Sequence, residues 1–183
     1  MLELNFTPFP VLSTERLILR WFTFDDAPRL FELRKDPVIM QYISRPLTKT
    51  IDDAINLIKV INELLSGNNG ITWCITLKGD HECIGSIGFW RIEKENYRAE
   101  IGYLLNPAYQ GMGIMQEAIE TIINYGFGPM RLHSIQANVS PGNLASIKLL
   151  QKNSFVKEGH FKENHFFNGV FEDTIVYTLL TKN

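Results

Sequence analysis

Tyr103-Leu104-Leu105-Asn106-Pro107-Ala108-Tyr109-Gln110-Gly111-Met112-Gly113-Ile114-Met115 decides the fold of this chain. Tyr103 to Leu105 reads as the end of an apolar strand, Asn106-Pro107 marks a loop, and two glycines open a helix. A strand, a glycine loop and a helix in succession leave backbone N–H groups unpaired at the helix N-terminus. With the helix dipole behind them, those donors form a seat for phosphate. A dinucleotide fingerprint is excluded, because Gln116 stands where its third glycine belongs. A Walker-type loop is excluded too, because Ile114 and Met115 follow Gly113 instead of Lys-Ser/Thr.

Working outward, the segments on either side supply alternating helices and strands. Thr14 to Phe22 alternates as a strand, and Thr23, Asp25, Asp26 and Pro28 open a helix containing Leu30, Phe31 and Leu33 that ends at Asp36-Pro37. Thr50 and Asp53 have the spacing of a capping box. Ile51, Ala54, Ile55, Ile58, Ile61 and Leu65 then form one apolar helical face, stopped by Gly67-Asn68-Asn69-Gly70. Three strands follow, at Ile71–Leu77, Cys83–Trp90 and Ala99–Leu105, the first two joined by a turn at Gly79-Asp80.

Beyond the glycine loop, Met115, Ala118, Ile119, Ile122 and Ile123 line one helical face that ends at Gly126, Gly128 and Pro129. His133–Asn138 reads as a short strand, Asn143 caps a last helix that stops at Asn153, and Asn168-Gly169 joins Phe155–Phe166 and Phe171–Leu180 in a hairpin. The order is β-α-α-β-β-β-α-β-α-β-β, which predicts a mixed α/β (α+β) sheet covered by helices in a single domain spanning 1–183.

Composition narrows the function. Hydrophobic residues make up 45% of 183, enough for a full core. The net charge is −2 and no Lys/Arg cluster stands out, so no direct nucleic-acid partner is expected. No apolar run nears the ~20 residues of a membrane span, and the N-terminus lacks a signal-peptide pattern, so a cytoplasmic protein without a membrane partner is expected. Cys74 and Cys83 face each other across the predicted hairpin and read as half-buried thiols. With His81, His133, His160 and His165 scattered, no metal site is expected.

The loop Gln110-Gly111-Met112-Gly113-Ile114-Met115 resembles the coenzyme A pyrophosphate loop of the GNAT N-acetyltransferase superfamily, with Met115 in place of a small residue. The order of elements is that of the GNAT fold. The Thr14–Arg20 strand, Asn143-Leu144-Ala145-Ser146 and Asn168-Gly169-Val170-Phe171-Glu172-Asp173 resemble the subgroup that includes bacterial ribosomal-protein N-terminal acetyltransferases. Two positions depart from the family. Leu150 occupies the place of the tyrosine that many members use as leaving-group acid, and Ser154 stands where a glycine usually precedes Phe155.

The resemblance implies a largely antiparallel sheet with splayed central strands, helices on both faces, and acetyl transfer from acetyl coenzyme A to an amine. The acceptor it suggests is a ribosomal or other protein N-terminus, or alternatively a small-molecule amine; a non-catalytic acyl-coenzyme A sensor is the rival from another class, and a monomer or homodimer is expected. Gly111, Met112, Gly113 and Ile114, flanked by Gln110 and Met115, would hold the pyrophosphate, and the strand edge at Tyr103, Leu104 and Leu105 the pantetheine arm. A strand N–H near Leu104 or Leu105 would meet the thioester oxygen.

Glu100 shares a strand face with Gly102 and Leu104 and is the candidate base; its alternative is an ion pair with Arg98 or Arg20. Ser146 is the candidate donor to the leaving sulfur, or else a local capping bond, and Asn143 a cap that also touches the arm. Tyr42, Trp90, Phe166 and Phe167 are candidates for the acceptor wall.

Overall fold

The computed structural model describes residues 1–181, so the last two residues of the expected domain lie outside it. Eight strands form one sheet: β1 (Leu12–Ser13), β2 (Leu17–Arg20), β3 (Ile71–Leu77), β4 (Gly85–Glu93), β5 (Arg98–Leu105), β6 (Ser134–Val139), β7 (Val156–Phe167) and β8 (Val170–Leu180). The helices are α1 (Ala27–Lys35), α2 (Pro37–Met40), α3 (Ile51–Ser66), α4 (Ile114–Phe127) and α5 (Leu144–Lys152). The predicted order is recovered with two short additions, β1 and the single turn α2. The first expected strand, Thr14 to Phe22, is shortened to Leu17–Arg20: the Thr14 hydroxyl accepts from Leu17 N at 2.9 Å, so a turn precedes β2. Asp36-Pro37 does end α1, but the Asp36 carboxylate accepts from Val38 N at 2.7 Å and starts α2 at once.

The sheet order is β1-β2-β3-β4-β5-β6-β8-β7, antiparallel except where β5 meets β6. Side chains alternate between its faces. On β3, Trp73 and Ile75 enter the core beneath α4 and α5, together with Ile119, Ile122 and Leu150. Cys74, one step between them, enters a second core beneath α1 and α3, with Leu30, Ala54 and Ile58. Thr50 and Asp53 make the expected capping box, with Thr50 N donating to Asp53 Oδ2 at 2.9 Å. The Asn168-Gly169 turn has left-handed φ values of 49° and 82°, as a two-residue hairpin loop requires.

The β3–β4 connection is longer than the tight turn expected at Gly79-Asp80. Cys74 pairs across the ladder with Ser86, and Cys83 lies in the loop before β4. Both thiols are free and fully buried, not half-buried. Their hydrogen bond and their burial push the Cys74 thiol far above its usual range, so it stays protonated and inert.

The feature that positions the site is the seam between β5 and β6. Parallel pairing joins Arg98, Ala99 and Glu100 to Ser134, Ile135 and Gln136, and stops there. On its other edge β5 stays paired with β4 as far as Leu105, and β6 stays paired with β8 as far as Val139. Residues 101–105 and 137–139 therefore diverge and open a slot in the middle of the sheet.

Candidate active site

The glycine loop closes one end of the slot. Asn106 caps a 3-10 turn at Pro107–Tyr109, its Oδ1 accepting from Ala108 N at 3.0 Å. Gly111 and Gly113 then adopt φ of 74° and 76°, the left-handed region where a side chain is strained. Nothing lies within 4 Å of a Cβ built on Gly111, and only Arg16 Nη2, at 3.4 Å, approaches one on Gly113. No side chain caps the first turn of α4, so its N–H groups are left for a ligand. The Met115 side chain packs on the core, which explains why a large residue fits the family's small position. Gln110 turns back, its Nε2 3.4 Å from Leu105 O, and Ile114 is buried while Met112 is exposed.

One acidic side chain threatens this anion seat, and an arginine cancels it. Glu117 lies in the first turn of α4. Arg16 Nε donates to Glu117 Oε2 at 2.6 Å, Arg16 N donates to Oε1 at 2.8 Å, and the Thr14 hydroxyl donates to the same carboxylate. Burial pulls the Glu117 carboxyl upward, but these hydrogen bonds and the Arg16 charge outweigh it and hold the pKa below its ordinary value. Arg16 Nη1 also donates to Met112 O at 2.8 Å and so braces the loop. The donors, the open space and the neutralised carboxylate together fit a diphosphate.

The slot leads into a cleft of about 1230 Å³. Ser146 and Asn143 flank it on α5, with Asn143 Oδ1 accepting from Ser146 N at 3.1 Å as the helix cap. Ser146 also shares a 2.6 Å hydrogen bond with the Tyr103 hydroxyl. Burial raises the Tyr103 phenol to about 12, against the opposing pull of that bond, so it stays a proton donor throughout the physiological range. Tyr103 thus brings a side chain to the site as well as the strand edge expected of it. Leu150 lies in the core and completes a helix stop: Phe155 N donates to Leu150 O at 3.0 Å while Ser154 N donates to Gln151 O at 3.0 Å. Leu104 and Leu105 point to opposite cores.

Glu100 sits where the seam opens, 9% exposed and lining the cleft. Its ion-pair partner is neither Arg98, which binds Glu93, nor Arg20, which binds Asp26. It is Arg91, at 3.2 Å. A bulge in β4 between Trp90 and Glu93 puts Arg91 at φ 47° and aims its guanidinium back across the strand pair. Burial raises the Glu100 pKa, and Arg91, Asn138 and Arg45 partly offset that rise. A carboxylate moved toward neutrality is a better proton acceptor than an ordinary one.

The aromatic candidates separate. Tyr42 lines the cleft, its Cε1 3.2 Å from a Cβ built on Gly142, and Trp90 lines it beside Gly102. Arg91 and Arg45 lie 4.7 and 5.1 Å from the Trp90 ring centroid. Phe167 faces a smaller neighbouring hollow with Met40 and Arg45. Phe166 is exposed and packs on Phe171, 4.8 Å between centroids, away from the cleft. Phe161 and His165 line the cleft from β7 instead. Sequence reasoning also missed Arg16, Arg34, Arg45 and Arg91; of these only Arg16 had a local signal, inside the Thr14–Arg20 strand motif.

A slot beside an uncapped glycine loop, in a mixed sheet of this order, fits an acyltransferase that draws on acyl-coenzyme A. Comparisons with known proteins agree. The family model described as "Acetyltransferase (GNAT) domain" matches residues 16–156. The chain is 36% identical over 172 residues to the uncharacterized N-acetyltransferase YoaA of Bacillus subtilis, covering 94% of this chain and 97% of that one. It is 36% identical over 100 residues to the ribosomal-protein-serine acetyltransferase of Escherichia coli, covering 54% of this chain and 55% of that one. A crystal structure of a GNAT-family acetyltransferase from Bacillus anthracis superposes with a TM-score of 0.82 at 30% identity, covering 93% of this chain and 98% of that one. The chain belongs to the GNAT acetyltransferase family and is an acetyl-CoA-dependent N-acetyltransferase.

Proposed function

We propose that the acceptor is the N-terminal α-amine of a peptide or protein, acetylated by direct attack within a ternary complex. The observation that carries this reading is Glu100: a buried carboxylate with a raised pKa, at the mouth of the slot and facing the cleft. The similarity to a ribosomal-protein-serine acetyltransferase supports an α-amine acceptor.

An α-amine has a pKa of about 8, so near neutral pH it must lose one proton before attack. Glu100, directly or through water, accepts it. The neutral nitrogen then forms a bond to the thioester carbonyl carbon, and the oxygen becomes anionic against a strand N–H near Leu104 or Leu105. The C–S bond breaks, and the departing sulfur takes a hydrogen bond from Ser146, whose hydroxyl is itself supported by the Tyr103 phenol. The second amine proton leaves as the amide forms, and the thiolate ends protonated. Gly111, Met112, Gly113 and Ile114 hold the pyrophosphate, and Asn143 orients Ser146.

A thiol-release assay over Ser- and Ala-terminated peptides and small amines tests the proposal, with mass spectrometry locating the acetyl group. Transfer to the peptide α-amine is expected. Transfer to small amines alone would overturn it. Ser146→Ala and Tyr103→Phe are each expected to lower kcat by about tenfold while acetyl-CoA affinity holds.

A further inference from the structure

Three arginines line the cleft: Arg34 from α1, Arg45 from the segment before α3, and Arg91 from the β4 bulge. Arg91 is neutralised by Glu100. Arg34 and Arg45 form no ion pair among the described residues. Arg34 Nη1 has only the Met40 sulfur, at 3.8 Å, and Arg34 Nε is the one buried side-chain nitrogen or oxygen among the described residues that lacks a hydrogen-bond partner. Burial and the neighbouring Arg45 charge both lower the Arg34 pKa, so the two cations repel each other. A buried guanidinium nitrogen left without an acceptor is costly, and that cost is relieved when an anion reaches it.

The acidic groups of the same cleft are already engaged. Asp53 accepts from Lys49 N and Thr50 N at 2.8 and 2.9 Å, with the Lys49 charge close by. Glu172 accepts from the Ser44 hydroxyl at 2.6 Å and lies 3.4 Å from His165. Asp173 is bonded to His160 at 2.7 Å and to Glu163 N at 2.9 Å. None of these carboxylates is an ion-pair partner of Arg34 or Arg45. Arg34 and Arg45 line the same cleft, Arg45 and Arg91 lie 5.1 and 4.7 Å from the one Trp90 ring, and Arg91 is 3.2 Å from Glu100, so the unmatched positive charge adjoins the base. An extended chain advances about 3.3–3.6 Å per residue. A group bound at Arg45 beside the Trp90 ring is therefore within reach of the first few residues behind an amine held at Glu100.

We propose that Arg34 and Arg45 form an anion subsite that selects acceptor peptides with Asp or Glu within the first few residues after the amine. This rests on the α-amine reading above. Two guanidiniums present forked donors that match a planar carboxylate, and one of them is already fixed against the Trp90 ring.

The test uses the full chain with coenzyme A bound and three peptides identical except for Glu, Gln or Lys at the second to fourth positions. Isothermal titration should show the Glu peptide binding about tenfold tighter than the Gln peptide, with the Lys peptide weakest. Arg45→Gln, at an exposed position that spares the fold, should erase the difference, and so should Arg34→Gln if circular dichroism shows it folded. Equal affinities, no binding by any of the three, or a preference unchanged in Arg45→Gln would each overturn the proposal. Acetylation of the same peptides reports separately on the function: charge-selective binding without transfer removes the α-amine reading and leaves the subsite, and transfer without charge preference does the reverse.

Discussion

Glu100 shows how one residue draws its chemistry from three neighbours. Burial raises its pKa and the Arg91 charge lowers it, so the net rise reflects a balance. As a base it works only when ionised, and the acid limb of kcat/KM should therefore fall above the ordinary carboxylate range. Arg91→Gln removes the lowering charge and should move that limb to higher pH; a limb that stays put would separate Arg91 from the base. Glu100→Gln should cut kcat/KM by about 10²-fold or more near neutrality, with a smaller loss at high pH where the amine is already neutral. The same rise has a stability consequence. A carboxyl whose folded pKa exceeds its unfolded value favours the fold below the unfolded pKa, and that contribution is lost as pH rises through the folded pKa.

Ser154 makes a second point at this scale. Its φ is 65°, the left-handed region that favours glycine. Ser154→Gly should raise unfolding free energy by up to about 1 kcal/mol in a urea titration, since the strain it removes exceeds the glycine's added unfolded entropy. The places of Glu100 and Ser146 on the cleft were legible in the sequence because each sits at a fixed offset from a local signal. Arg91 was not: its orientation comes from a bulge with no glycine or asparagine to announce it.

Elements explain why the shape of the glycine loop was easy to read and the wall of the cleft was not. The loop is contiguous: a strand end, an Asn cap, two left-handed glycines and an uncapped helix within residues 103–116. Its brace is remote, because Arg16 arrives from the turn before β2. Arg16→Met should weaken coenzyme A binding by about tenfold, as Glu117 is left uncompensated beside the diphosphate and the Met112 carbonyl is freed. An unchanged Kd in calorimetry would mean that the loop holds itself. The lowered Glu117 pKa gives the brace a direction: its stabilisation is present above the ordinary carboxyl range and is lost as pH falls through the folded value. The cleft wall, by contrast, draws on α1, the 41–50 segment, β4 and the β7–β8 hairpin. Phe166 shows the limit of reading it from sequence. Alternation along a ribbon with two register shifts does not reveal which face meets the cleft, and here the shifts turn Phe161 and His165 inward instead.

At the scale of the whole molecule, the sheet is continuous on paper and divided in fact. Among the described residues three ladder pairs join β5 to β6, with Tyr97 O also accepting from His133 N and Ser134 N at their start, while the side-chain core beneath α4 and α5 spans the junction. The order of elements predicted a mixed sheet, and the crossover through α4 makes β5 and β6 its parallel pair; the splay at that pair was implied by the family resemblance alone. Among the described residues no helix is long and apolar enough to cross a membrane. Coenzyme A at about 100 times its Kd should add about 2.7 kcal/mol, or roughly 5–10 °C in midpoint for a chain of this size. No shift in a thermal melt would remove the slot as the binding place.

A sheet joined along so short a spine resembles a book held open near its binding. A ligand lying between the pages would lend the two covers a common stiffness. The wall that greets the amine, built from both covers, would then be firm only after the thioester has entered. The reaction should accordingly follow a compulsory sequence, coenzyme first and acceptor second, with the acetylated product leaving before the spent thiol.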